Sequence, residues 1–296
     1  MSTNLHGILV ALVTPFTADG KAIDDANLKH QVERMVAAGI HGLVPAGTTG
    51  EFTTLTHDER KHLVEAVIEY SAGRSAVVPS TGALSTDETI ELSRHAEKAG
   101  AKGVMIVPPY YDPLRLHELH AHLSAVGHAI SIPIMYYNVP GATGLRLTPH
   151  ELAGLGALPN VRYIKDTSGD FSSVTTMLMH FKDSITTFNG WDTLTFGALA
   201  TGATGSVWGM ANLLPEQAVK LYDALAVKGD LAEGRRLWQG LWPVNDLLES
   251  HNYVAAVKGG LDEIGESAGP TRPPIKPLDP AVRTELGALL RHAQGL

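Results

Sequence analysis

The chain lacks cysteine, is poor in aromatic residues and carries fewer cations than anions. With no cysteine among 296 residues, disulfide scaffolds, thiolate zinc sites and a cysteine nucleophile are all excluded. Lys and Arg number 23 against 31 Asp and Glu, a formal charge of −8 that argues against a basic nucleic-acid-binding face. Charged residues make up only 18% and hydrophobic ones 44%, too apolar a balance for a disordered chain. The segment Met1-Ser-Thr-Asn-Leu-His-Gly7 lacks the positive region and small-residue cleavage site of a secretion signal, so a cytoplasmic protein is expected. Residues 193–215 carry no charge, and that length could span a bilayer. They nevertheless include Thr193, Thr195, Thr201, Thr204, Ser206, Asn212 and four glycines, too polar for a lipid-facing helix. A buried strand flanked by turns is the expectation there, with no membrane partner.

What is present is an alternation. Strand-like runs occur at Gly7–Thr14, Gly42–Ala46, Ala76–Ser80, Gly103–Val107, Ile132–Asn138, Val161–Asp166, Ser184–Phe188 and Gly205–Trp208. Between them lie segments with apolar residues three and four apart, such as Leu28, Val32 and Met35, or Leu63, Val64, Val67 and Ile68. Thr86 with Glu88, and Thr148 with Glu151, supply helix-start chemistry, and Gly39 and Gly100 supply helix stops. Eight such units predict a (β/α)8 TIM barrel over residues 1–225. Helical segments at Pro215–Ala226, Asp230–Glu249, Asn252–Ile264 and Pro280–Gln294 follow, making residues 226–296 a C-terminal helical extension of the same domain. A doubly wound sheet is the competing architecture.

Catalytic groups of such barrels sit at the C-terminal ends of strands. Those ends carry Thr14, Gly47-Thr48-Thr49, Thr81, Tyr110-Tyr111, Tyr137-Asn138, Lys165-Asp166, Asn189-Gly190 and Trp208. Lys165 stands out, because period two puts it on the opposite face from Ile164, and a lysine desolvated in a barrel mouth becomes a usable amine. Such amines form Schiff bases with carbonyl compounds. A phenol on the neighbouring strand could exchange a proton with the adduct, although parity alone leaves Tyr136 and Tyr137 both open. Gly47-Thr-Thr-Gly-Glu51 allows a tight turn whose N–H groups converge on a carboxylate, with Glu51 bracing it. His117, His120 and His122 are spaced by three and two, not the four that two zinc-binding helical histidines need, so a partly exposed helix face is expected and no metal. No serine-nucleophile or dinucleotide motif is found.

Taken in order, Gly47-Thr-Thr-Gly-Glu51, Pro109-Tyr-Tyr111, Tyr137-Asn-Val-Pro140, Ile164-Lys-Asp-Thr-Ser-Gly169 and Asn189-Gly190 resemble the dihydrodipicolinate synthase/N-acetylneuraminate lyase family along essentially the whole chain. The resemblance implies a barrel with a helical extension, a homotetramer built as a dimer of dimers, and Schiff-base chemistry on pyruvate or another 2-oxo acid without a cofactor. By motif, Lys165 would form the imine, Tyr137 would be its acid/base phenol and Thr48 a proton relay. Tyr111 would complete a neighbouring subunit's relay. Thr49, Gly47, Gly190 and Val207 would surround the substrate. Lysine-pathway synthases of this family carry an arginine two residues after the Tyr-Asn-Val-Pro proline, and here that position is Ala142. Loss of a bidentate carboxylate clamp is not conservative. Arg146, four residues on, would need a detour to replace it. The resemblance is therefore closest to the 2-keto-3-deoxy sugar acid aldolases, which implies an aldolase or a related dehydratase. The alternatives are a synthase condensing pyruvate with aspartate semialdehyde, and a 2-oxo-acid-binding regulatory paralogue without turnover.

Overall fold

The computed structural model describes residues 4–296; Met1–Thr3, the head of the N-terminal segment considered above, lie outside the described residues. Eight strands are present: β1 Gly7–Ala11, β2 Gly42–Val44, β3 Ala76–Val77, β4 Val104–Ile106, β5 Ile134–Asn138, β6 Val161–Asp166, β7 Thr186–Asn189 and β8 Gly205–Trp208. All pair in parallel, in the order β3-β2-β1-β8-β7-β6-β5-β4. The two ends of that order meet through a bridge between Ser80 and Met105. There Met105 N–H donates to Pro79 O and Thr81 N–H donates to Met105 O, each at 2.9 Å, and the sheet curls into a barrel. The doubly wound alternative, an open sheet, is thereby excluded.

Side-chain alternation then builds two layers. Leu9, Ala11, Val44, Met105, Met135, Tyr137, Phe188 and Val207 fill the barrel interior. Ile8, Val10, Leu43 and Trp208 point outward on one side, and Val104, Ile106, Ile134, Tyr136 and Ile164 on the other, against the surrounding helices. Each large apolar side chain buried this way contributes about 1.5–3 kcal/mol, so a strand slipped by one residue would forfeit both layers at once. The same alternation sends Tyr137 inward and Tyr136 outward.

The helices are α1 Asp25–Ala37, α2 His57–Ser71, α3 Thr86–Ala99, α4 Leu116–Ala129, α5 Pro140–Thr143, α6 Pro149–Gly154, α7 Phe171–His180, α8 Thr195–Thr201, α9 Pro215–Tyr222, α10 Leu231–Glu249, α11 Tyr253–Glu263 and α12 Pro280–Gln294. Capping boxes start α2 (Thr56 with Glu59) and α6 (Thr148 with Glu151), and Gly100 ends α3 at φ +106°. Three local expectations are corrected. The N-cap of α3 is Ser85, one residue before Thr86; the Thr86 hydroxyl instead meets His122 Nδ1 at 3.0 Å. His122 is accordingly buried between α3 and α4 rather than partly exposed. Residues 193–215 hold α8 as well as β8, because Phe196, Ala198 and Leu199 supply a short helical face that packs on the barrel.

Beyond β8, helices α9–α12 pack on the β1–β8 side. Leu237, Leu241, Val244, Leu248, Val257, Leu261, Leu286 and Leu290 form one continuous core with the outward faces of those strands. The buried Trp208 indole N–H donates to Asn245 Oδ1 on α10 at 2.9 Å. No helix among the described residues is long and apolar enough to cross a membrane.

Candidate active site

A cavity of about 240 Å³ opens at the C-terminal ends of the strands. Lys165, Tyr137, Gly47, Thr48, Thr49, Gly190 and Val207 all line it. A wider depression of about 600 Å³ lies at the opposite end of the barrel around Lys102, Arg162 and Lys182, and contains none of the residues selected from the sequence.

Lys165 and Tyr137 are register partners on β6 and β5. Each is only 6% exposed, and the Lys165 Nζ lies 4.0 Å from the centroid of the Tyr137 ring, over its electron-rich face. Their strand neighbours anchor them. Asp166, paired in register with Asn138, accepts from Asn138 Nδ2 at 2.7 Å and from the Ser168 hydroxyl at 2.6 Å. That explains why the motif residues flanking the lysine and the tyrosine are an acid, an amide and a serine.

Gly190 is fixed by space. A Cβ there would stand 2.3 Å from Thr167 Oγ1 and 2.6 Å from Lys165 Cε, so only glycine lets the lysine lie along the pocket wall. Asn189, fully buried, holds this turn by donating to Trp191 O at 2.8 Å and Thr195 Oγ1 at 3.0 Å.

The Gly47–Glu51 turn closes with Glu51 N–H donating to Thr48 O at 3.0 Å. Thr49 is buried and Thr48 exposed at the pocket. Glu51 adopts a left-handed backbone (φ +56°, ψ 35°), which costs a residue with a Cβ about 1–2 kcal/mol. Its buried carboxylate is ion-paired with Lys258 Nζ at 2.7 Å and accepts from Arg272 N–H at 2.8 Å, so it braces the turn.

Other strand-end residues are not brought to the cavity. Thr14 is buried and donates to Gly50 O at 2.7 Å. Thr81 pairs with the Ser93 hydroxyl, the Tyr110 ring meets Phe52 edge-on, and Trp208 points into the helical layer. Tyr111 is 85% exposed on the loop after β4, beside a separate surface groove with Leu84 and His122. Within one chain it does not reach Lys165's cavity, because that loop turns away over α3 and α4.

The sequence reading missed one wall. Asp192, Glu249, Tyr253 and Thr167 also line the cavity. Asp192 Oδ2 accepts from the Tyr253 hydroxyl and from Met210 N–H at 3.2 Å. Burial pushes the Asp192 carboxyl up to about 7, against the lowering effect of the Tyr253 hydrogen bond. Burial likewise raises Glu249, opposed by the Thr193 hydroxyl and N–H donating at 2.7 and 3.1 Å. Tyr253 is pushed well above the ordinary phenol range, first by burial and then by the charge of Asp192. The Thr167 hydroxyl has no protein partner. Asp192 follows a strand end by three residues and was within reach of the strand-end rule, whereas Glu249 and Tyr253 sit on helices read only as outer cover. Among the described residues lining the cavity there is no arginine; Ala142 and Arg146 are both exposed outside it. No group of three or more His, Asp or Glu among the described residues is arranged to hold a metal ion.

Comparisons with known proteins bear on the family and the fold. The family model described as the dihydrodipicolinate synthetase family matches residues 4–293. A 4-hydroxy-tetrahydrodipicolinate synthase of Pelobacter propionicus is 38% identical over 285 residues, 96% of this chain and 97% of that protein. One from Methanopyrus kandleri is 36% identical over 277 residues, 93% and 92% of the two chains. Among solved structures, the chloride-inhibited dihydrodipicolinate synthase of Acinetobacter baumannii complexed with pyruvate superposes with a TM-score of 0.94 at 30% identity, covering 98% of this chain and 99% of that one. The enzyme from Aquifex aeolicus does so with a TM-score of 0.91 at 28% identity, covering 97% of each. A barrel matched from end to end by the family model makes this chain a lyase that belongs to the dihydrodipicolinate synthetase family.

Proposed function

We propose that the chain is a class I aldolase, or a related dehydratase, that works through a Schiff base between Lys165 and pyruvate or a 2-keto-3-deoxy sugar acid. The observation that carries the reading is the buried Lys165 amine 4.0 Å from the Tyr137 ring centroid, inside a cavity shaped around it by Gly190. The amine adds to the 2-oxo carbon and water leaves, giving an iminium that serves as electron sink. Tyr137 takes the proton of the C4 hydroxyl, the C3–C4 bond breaks, and the pair of electrons enters the iminium to give the pyruvate enamine and a free aldehyde. Protonation at C3 and hydrolysis release pyruvate. A dehydratase would share the imine, lose a proton from C3 to give the enamine, and expel the C4 hydroxyl as water. Thr48 would relay protons, and the Thr49 turn with Gly47 would receive the substrate carboxylate, while Gly190 and Val207 bound the reacting carbons.

The acceptor end favours a hydroxylated aldehyde. Its wall presents Asp192, Glu249 and the unpartnered Thr167 hydroxyl, and no arginine to receive a second carboxylate. A second substrate carboxylate would meet two acidic side chains there and no cation, whereas sugar hydroxyls would find acceptors. The second reading, condensation of pyruvate with aspartate semialdehyde, is favoured by the names of the relatives at 36–38% identity. Turnover of pyruvate with short hydroxyaldehydes and with aspartate semialdehyde, side by side, decides between them. Semialdehyde as the dominant acceptor would overturn the aldolase reading. We also read the protein as a cytoplasmic homotetramer in which a neighbouring chain receives the exposed Tyr111; sedimentation that gives a monomer would remove that role.

A further inference from the structure

The Gly47–Glu51 turn is held from outside the barrel. Glu51 has its side chain fully buried and both its oxygens committed away from the cavity: Oε1 to Lys258 Nζ at 2.7 Å, Oε2 to the backbone N–H of Arg272 at 2.8 Å. Lys258, on α11, has a 4% exposed side chain and donates also to Pro270 O at 2.8 Å. The Phe16 ring takes the Lys258 ammonium at 4.2 Å and the Arg272 guanidinium at 4.1 Å. That guanidinium grips Glu59, three residues past the N-cap of α2, at 2.6 and 2.8 Å, and donates to Gly20 O and Thr54 O. Residues 51–59 are thus pinned at both ends by two cations from the C-terminal extension.

We propose that Lys258 is a positioning residue for the carboxylate end of the substrate: its buried ion pair with Glu51 holds the Gly47–Glu51 turn so that Thr48 and Thr49 face the group bound beside Lys165. The inference rests on the reading above that this turn receives the substrate carboxylate. Three features support it. Glu51 occupies a left-handed backbone, which is costly for a residue with a Cβ and is offset by restraint from outside the turn. The pair is separated by 207 positions in sequence, so it ties the extension to the turn and not to its own helix. A buried ion pair is also poor economy if stability were its only use, since a well-packed apolar pair is often as good or better.

Borohydride trapping at Lys165, followed by intact mass, tests this with two carbonyl compounds: pyruvate, which has a carboxylate, and acetone, which has none. Lys258→Met alone strands a buried carboxylate, so the comparison is made on Glu51→Gln/Lys258→Met, which removes both charges. The half-saturating pyruvate concentration is expected to rise at least about tenfold in the double variant, with acetone trapping within about twofold of the parent. Equal loss with both compounds would make the pair a general structural element and overturn the proposal, as would no change with either. Should the double variant fail to fold, Glu51→Gln alone keeps an acceptor for Arg272 N–H, and the same selective loss is expected at about threefold; an unselective loss or none overturns it there too. A parent chain that pyruvate does not label at Lys165 would overturn the imine reading itself, a result obtained before any variant is compared.

Discussion

The cavity has two walls of different origin. One is carried by strands: Lys165, Tyr137 and Val207 enter it from β6, β5 and β8 because alternate residues of a paired strand face inward. The other is carried by the extension and the loop after β7, where Asp192, Glu249 and Tyr253 converge through the docking of α10 and α11. The strand wall holds the groups suited to covalent chemistry. The helical wall holds a buried acid, Asp192, and a half-buried one, Glu249, both with proton affinity raised by desolvation. A register error would destroy the first wall outright, whereas a shift of a helix would retune the second by degrees. Under the proposed function, the covalent step falls to the strand wall and recognition to the helical wall.

The largest expected effect lies on the strand wall. Lys165→Ala should abolish the borohydride adduct with pyruvate and lower turnover by about 10⁴-fold or more, with the thermal transition largely unchanged. A surviving adduct at full yield would move the nucleophile elsewhere. Gly190→Ala comes next: the added methyl would collide with Thr167 Oγ1 and Lys165 Cε, so turnover should fall about 100-fold, with overpacking costing about 1–3 kcal/mol in denaturant unfolding. Near-parental kinetics in this variant would show that the lysine has room to spare.

The helical wall should respond through pH. Asp192 is raised from 3.8 to about 7, so the folded protein binds a proton that the unfolded chain has released over that interval. Its contribution to stability is complete below about pH 4 and is lost as pH rises toward 7. Asp192→Asn keeps a carbonyl oxygen for the Tyr253 and Met210 donors and removes the charge. Unfolding titrations at pH 5 and pH 8 should therefore show the variant gaining on the parent by roughly 2–4 kcal/mol as pH rises. Parallel pH curves for the two proteins would place the titration on another group. The smallest effect is expected for Tyr253→Phe, which removes one donor to Asp192 and should cost about 1–2 kcal/mol at pH 8. Because that hydrogen bond lowers the Asp192 carboxyl, its loss should move the Asp192 limb of any pH profile upward. A downward move would contradict the assigned donor.

The two walls also differ in how legible they are. Eight strand positions, the long helices and the barrel are legible because β-branched runs and three-and-four spacings are local signals, and Lys165, Gly190 and Val207 follow from strand ends and motif. Tyr137 needs one more fact, the direction of β5, which the packed interior supplies. Tyr111 matches a motif, and its loop leads it to the surface, away from the cavity of its own chain. Ala142 is the residue on which the proposed aldolase reading turns, whereas the names of the relatives favour the synthase; Arg146 is exposed outside the cavity.

By itself, the sequence determined the fold class, the alternation that sends one face of each strand inward, the absence of thiol chemistry, and a lysine at a strand end. These follow from neighbours within a few residues. Only the tertiary structure decided that Glu249 and Tyr253 join Asp192 at the cavity and that Lys258 and Arg272 hold the Gly47–Glu51 turn. Those contacts span from tens to over 200 residues, and they exist because the apolar faces of α10, α11 and α12 are buried on the β1–β8 side of the barrel. Burial of those faces carries the polar groups to their partners, and no local pattern encodes where such a docked helix will present its acids.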